Sequence, residues 1–133
     1  MDSTASVRYD RGPRSRSRGG NVSKRGDLLR SYDTLAEIRA LPDNWNGNGA
    51  PRFSPRLLDR ICGIVETLPR QPDIFPTAND SIQLEYENSR GDYLEFEIFE
   101  DGRIKEFLCE AQGSRTQIVR QEALGETVRR FYE

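Results

Sequence analysis

The chain contains no histidine among its 133 residues. That absence removes the commonest general base near neutral pH and the commonest metal ligand. Lysine is nearly as scarce: Lys24 and Lys105 stand alone, neither in a recognisable motif. A serine or cysteine nucleophile would need some other activating base. Cys62 and Cys109 lie far apart and match no metal or redox spacing; two buried, reduced thiols are expected in preference to a disulfide between them. No apolar run approaches the length of a membrane span. The first residues lack the apolar stretch of a signal peptide, and Asp2, Asp10 and Pro13 do not suit a transit peptide. The expectation from these absences is a cytoplasmic, non-catalytic protein with no cofactor, no metal and no membrane partner.

What is present is unevenly distributed. Hydrophobic residues make up only 35% of the chain, which is thin for a globular protein. Residues 1–22 hold little that could pack and are rich in Gly, Ser and Arg, a composition that predicts a disordered tail. Residues 23–133 read as a single domain. Charge follows the same division. The tail carries Arg8, Arg11, Arg14, Arg16 and Arg18 against Asp2 and Asp10, a balance of +3. Residues 80–110 carry ten carboxylates against Arg90, Arg103 and Lys105, a balance of -7. Such asymmetry suggests different partners for the two ends, or self-association.

The periodicities predict an α+β fold. From about Ser23 to Ala40, Leu28, Leu29, Tyr32, Leu35 and Ile38 recur at helical spacing. A second helix starts at Ser54-Pro55, with Ser as N-cap and Pro at the first helical position. Leu57, Leu58, Ile61, Ile64, Val65 and Leu68 form its apolar stripe. Three strands follow: Ser81–Glu87, Tyr93–Phe99 and Arg103–Cys109, the first two with strict apolar/polar alternation. Asn88-Ser89-Arg90-Gly91-Asp92 suits a five-residue hairpin loop, and Glu100-Asp101-Gly102 a three-residue one. A last helix is predicted from Ser114 or Thr116 to about Tyr132, with Ile118, Val119, Ala123, Val128 and Phe131 on its apolar side. The architecture expected is α-α-β-β-β-α, helices packed on a three- or four-stranded antiparallel sheet, the fourth strand near Ile74.

These loops fix a register that sets Glu85 opposite Glu95, Glu97 opposite Lys105 and Glu95 opposite Phe107. The outer face then holds Glu85, Glu87, Glu95 and Glu97 beside Tyr93, Phe99 and Phe107. Like charges placed opposite one another cost a few tenths to about 1 kcal/mol per pair. Carboxylates among aromatic anchors describe a recognition surface for a basic partner. Alternating Glu is also what a solvated antiparallel face looks like, and the last helix could cover the aromatics. A carboxylate metal site needs convergent oxygens that a flat strand face rarely provides. Paired carboxylates can hydrolyse glycosides, but three strands leave little room for a substrate cleft.

Asn44-Trp45-Asn46-Gly47-Asn48-Gly49-Ala50-Pro51 is the most distinctive stretch. Its two Asn-Gly pairs demand tight turns, and it lacks the Lys-Ser/Thr pair and preceding strand of a phosphate loop. A structural turn anchored by Trp45 is expected. Trp45-Asn46-Gly47 with Gly49-Ala50, then Pro72-Asp73-Ile74-Phe75-Pro76, then Ile82-Gln83-Leu84-Glu85-Tyr86, resembles a group of small bacterial and phage- or prophage-associated proteins. These read W-D-G-x-G-A, a proline-flanked strand, and G-x-I-x-L-E-W. This chain has Asn46 for Asp, Ser81 for Gly and Tyr86 for Trp. The resemblance spans roughly residues 30–110. It carries over no catalytic residue and implies only a leaning towards host–phage conflict or toxin–antitoxin roles.

The function expected is therefore a protein-binding module: an antitoxin, immunity protein or phage-type inhibitor that occludes a basic partner, such as a toxin or nuclease, through the acidic face. Two alternatives stand beside it. Arg14, Arg16 and Arg18 could neutralise phosphates in a nucleic-acid-associated protein, although arginines without interleaved aromatics are a weak signal. The chain could also be a structural homodimer with its sheet face buried against its twin.

Overall fold

The computed structural model describes residues 24–133. The arginine-rich tail, including Arg14, Arg16 and Arg18, and the boundary at residue 22 lie outside the described residues. Three helices and one five-stranded sheet follow in the order α-α-β-β-β-β-β-α: α1 (Lys24–Arg39), α2 (Pro55–Thr67), β1 (Asp73–Pro76), β2 (Ser81–Glu87), β3 (Tyr93–Phe99), β4 (Ile104–Glu110), β5 (Gly113–Ile118) and α3 (Leu124–Phe131). The sheet is an antiparallel meander whose spatial order is the chain order.

The α+β class is as the periodicities predict, but the sheet has five strands rather than three or four. The strand near Ile74 exists as β1. The predicted long final helix does not. Gly113–Ile118, which includes its proposed caps Ser114 and Thr116, is β5, and α3 starts only at Leu124, after a 3-10 turn at Gln121–Ala123. Its backbone pairs with β4 from Glu110↔Gly113 to Lys105↔Ile118, and all six of its residues are exposed. A strand that buries nothing leaves no apolar period to read.

Local chemistry explains the other elements. Ser54 Oγ accepts the Leu57 N–H at 3.0 Å, which satisfies one orphan donor at the start of α2. The whole predicted stripe of α2 is buried, from Leu57 at 3% exposed to Val65 at 0%. Each such side chain contributes about 1.5–3 kcal/mol of transfer free energy. It packs against the inner face of the sheet, where Ile74, Ile82, Leu84, Tyr86, Leu94, Phe96, Ile98 and Ile104 join the same core cluster. Leu124, Val128 and Phe131 bring α3 to that cluster too. The α1 stripe is less complete: Leu35 and Ile38 are buried, whereas Leu29 is exposed.

The two hairpin loops adopt the predicted lengths. Asn88 Oδ1 accepts from the Arg90 and Asp92 amides, and Gly91 takes φ +84°. Phe99 N–H donates to the Arg103 carbonyl at 3.0 Å across the second loop, with Gly102 at φ +101°. A residue with a Cβ would be strained in that left-handed conformation.

Candidate functional site

The helices all pack on one face of the sheet, so the residues of opposite parity form a second face without a helix on it among the described residues. The register arranges this outer face in rows. Asp73, Glu85, Glu95, Phe107 and Thr116 form one row. Phe75, Gln83, Glu97, Lys105 and Ile118 form the next. Glu87, Tyr93, Cys109 and Ser114 lie beyond the first row, and Ser81 with Phe99 beyond the second. All seven residues singled out from the sequence, Glu85, Glu87, Tyr93, Glu95, Glu97, Phe99 and Phe107, therefore share this face. Glu85 stands directly opposite Glu95, and Glu97 opposite Lys105.

The carboxylates are not the solvated fringe that alternation alone suggests. Glu85 and Glu97 are each only 3% exposed, and Gln83 4%. Glu87 is exposed and Glu95 half-buried. Burial of a carboxylate is costly without hydrogen bonds or countercharge, and Glu97 has both. Ser81 Oγ donates to Glu97 Oε2 at 2.5 Å, and the Lys105 ammonium lies 3.5 Å from Oε1. Ser81 has one hydroxyl proton and gives it to Glu97, so the 2.5 Å contact with Thr77 has the Thr77 hydroxyl as donor. Tyr93 Oη donates to Glu95 Oε1 at 2.7 Å. The same ring leans on Phe107, with centroids 6.1 Å apart. Arg103 stacks over Phe99 with its guanidinium carbon 4.5 Å from the centroid. The face thus joins acceptors for charged donors to rings on which cations already stack.

Several members of the face were missed in the sequence. Asp73 and Phe75 belong to it because Ile74 points inward; the Pro72–Pro76 segment was too short for its alternation to be read. Cys109 lies on it as well and is exposed, while Cys62 is half-buried. Both thiols are free, but neither is buried as expected, since Cys109 sits on the outer face and Cys62 at the margin of the α2 stripe. Burial pushes the Cys62 thiol up, with the Glu66 carboxylate adding to the effect. One buried acidic residue falls on the inner face. Glu106 pairs with Phe96 and is 3% exposed, capped by Gln117 Nε2 at 3.3 Å and Arg115 Nη2 at 3.7 Å.

The rest of the molecule carries structural hydrogen bonding. In the Trp45 loop, Asn46 Oδ1 accepts from Asn48 N–H and Ala50 N–H, and Asn44 Oδ1 accepts from Gly49 N–H. Trp45 Nε1 donates to the Pro51 carbonyl, and its ring packs on Phe53. A hollow of about 760 Å³ lies away from the outer face, lined by Arg60, Gly102, Ile104, Arg120 and Glu122 among others. Arg60 is engaged there by Gln121 Oε1 and the Gly102 carbonyl. Among the described residues no three acidic or cysteine side chains converge as a metal set, and no helix is long and apolar enough to cross a membrane. No protein family, curated protein or solved structure matches the chain.

Proposed function

We propose that this chain is a non-catalytic, cytoplasmic binding protein that captures a basic partner on the outer face of its sheet. Antitoxin, immunity protein and phage-type inhibitor are the roles that such occlusion serves. The observation that carries the reading is the combination of sunken carboxylates and aromatic rings on a face with no described helix over it. Glu85 and Glu95 sit directly opposite each other, which concentrates negative charge at the middle of the face, where a basic partner is favoured by electrostatic complementarity. Tyr93, Phe99 and Phe107 supply flat, rigid contact area beside the charges. The resemblance of the Trp45 segment to phage-associated proteins leans the same way.

The test uses a Glu87→Lys/Glu95→Lys variant, because Glu97 is tied into the Thr77–Ser81 chain and its loss would confuse binding with stability. A protein captured by the wild-type chain is purified and titrated against both forms. The reading expects affinity to fall at least roughly 100-fold in the variant and to weaken with salt. Equal binding by both forms overturns it. Light scattering covers the homodimer alternative: a stable dimer that Phe107→Glu dissociates would place a second copy, not a foreign partner, on this face.

A further inference from the structure

The occupant of the outer face is given a chemical class by the chain itself. Phe75, at 8% exposed, is buried yet stands outside the core cluster, and Gln83, Glu85 and Glu97 beside it are as deeply withdrawn. All four lie on the side of the sheet away from α1, α2 and α3. Asp73, Glu85, Glu87, Glu95 and Glu97 face this side, where among the described residues the cations are Lys105, opposite Glu97, and Arg103, stacked on Phe99. The complementary charge is present in the same chain: Arg8, Arg11, Arg14, Arg16 and Arg18, five arginines in eleven positions.

Reach and geometry both permit the contact. α1 begins at Lys24 and packs against β1, an edge strand of the sheet. Residues 8–18 in extended form span about 36 Å, and five strands at about 4.8 Å spacing need only about 19 Å. Arginine is also the residue type this face receives best. Its planar fork matches paired carboxylates and stacks on rings, as Arg103 already does on Phe99.

We propose that residues 8–18 dock on the outer sheet face of their own chain and act as an internal competitor for the basic partner. This rests on the reading of that face given above and deepens it in two ways. The partner's docking element is an arginine-rich extended segment, and access to the face is regulated by displacement of the tail. A tethered segment is present at an effective concentration of about 1 mM. If the same segment binds in trans with a Kd of about 0.1 mM, the tether weakens an outside competitor roughly 10-fold.

The experiment compares the full-length wild type with a full-length variant in which all five arginines are changed to serine. Amide chemical shifts are mapped for both, after thermal melts establish that both fold. The proposal expects shifts at Gln83, Glu85, Glu95 and Phe107, reproduced in the wild type by 0.5 M salt (about 4 Å Debye length) and unchanged on 20-fold dilution. Superimposable spectra across β2, β3 and β4 overturn it, as does concentration dependence, which would mean docking between two copies. Nona-arginine is then titrated onto both forms. Binding on the outer face, about tenfold tighter to the serine variant, supports the tail as competitor. Equal affinity for both forms rejects the tail while leaving the face reading intact. Tail-dependent shifts with no nona-arginine binding keep the tail and reject the face as a general acceptor of basic partners.

Discussion

Replacing Asn46 by Asp should leave the fold as stable as the wild type, whereas Asn46→Ala should unfold it about 10 °C lower. The reasoning rests on which atoms of the side chain are used. Only Oδ1 of Asn46 is engaged, accepting from Asn48 N–H at 2.9 Å and Ala50 N–H at 3.0 Å. These two bonds close a turn in which Gly47 and Gly49 both take positive φ. An Asp carboxylate presents an acceptor oxygen in the same place, and a charged acceptor strengthens such bonds. Alanine presents none. Each lost bond is worth about 1 kcal/mol net, so the alanine form should lose about 2 kcal/mol. For a domain of this size that is a shift in Tm of roughly 10 °C. Thermal melts followed by circular dichroism at neutral pH measure both. If Asn46→Asp melts as low as Asn46→Ala, the amide group matters and the acceptor account is wrong. The same account explains why a W-[DN]-G pattern suits this turn: Asp and Asn share the one atom it needs.

Three further outcomes follow from the electrostatics and the thiols. Arg56 and then Ser54 hydrogen-bond to Glu100 and hold its carboxyl below its ordinary value. A depressed carboxylate contributes stability above the unfolded value and loses it as pH falls through the folded one. Glu100→Gln should therefore be less stable at pH 7 and lose less stability than the wild type between about pH 5 and pH 3, as urea melts across that range would record. Burial, followed by the neighbouring Glu100, pushes Asp80 up, and its backbone sits at φ +59°. Asp80→Asn removes the disfavoured charge while keeping a residue that accepts left-handed φ, so the melting temperature at pH 7 should rise by a few degrees; a fall would refute this. Cys109 is exposed and Cys62 half-buried with its thiol pushed up. Alkylation monitored by mass spectrometry should modify Cys109 roughly tenfold faster, and Cys62 reacting first would contradict the burial argument.

The parts of this fold that could be read from sequence are those where local chemistry and burial agree. The β2–β3 and β3–β4 hairpins combine turn residues (Asn88 and Gly91 in one, Asp101 and Gly102 in the other) with alternating apolar residues that meet the helices, so both loop length and register were legible. β5 was not. Its one large apolar residue, Ile118, is 62% exposed, and backbone pairing to β4 holds the strand. Ile118 and Val119 fall at helical spacing with Ala123, Val128 and Phe131, which drew the predicted helix too far towards the N-terminus. The membership of the outer face was legible for the same reason as the register, since parity alone decides it. Its burial was not. Alternation treats Glu85 and Glu97 as solvated, whereas the withdrawal of Glu97 depends on Ser81 and Lys105 from two neighbouring strands.

The central claim is that the outer sheet face, rather than acidity in general, captures the partner. Titrating one purified basic partner against two variants of equal charge change tests it most directly. Glu87→Lys/Glu95→Lys alters the face; Asp33→Lys/Glu122→Lys alters exposed positions on α1 and the 3-10 turn. The account predicts a loss of roughly 100-fold for the first pair and less than about threefold for the second, at 0.15 M salt where exposed charges are screened beyond about 8 Å. Equal losses for the two pairs would contradict it, reducing the binding to net charge.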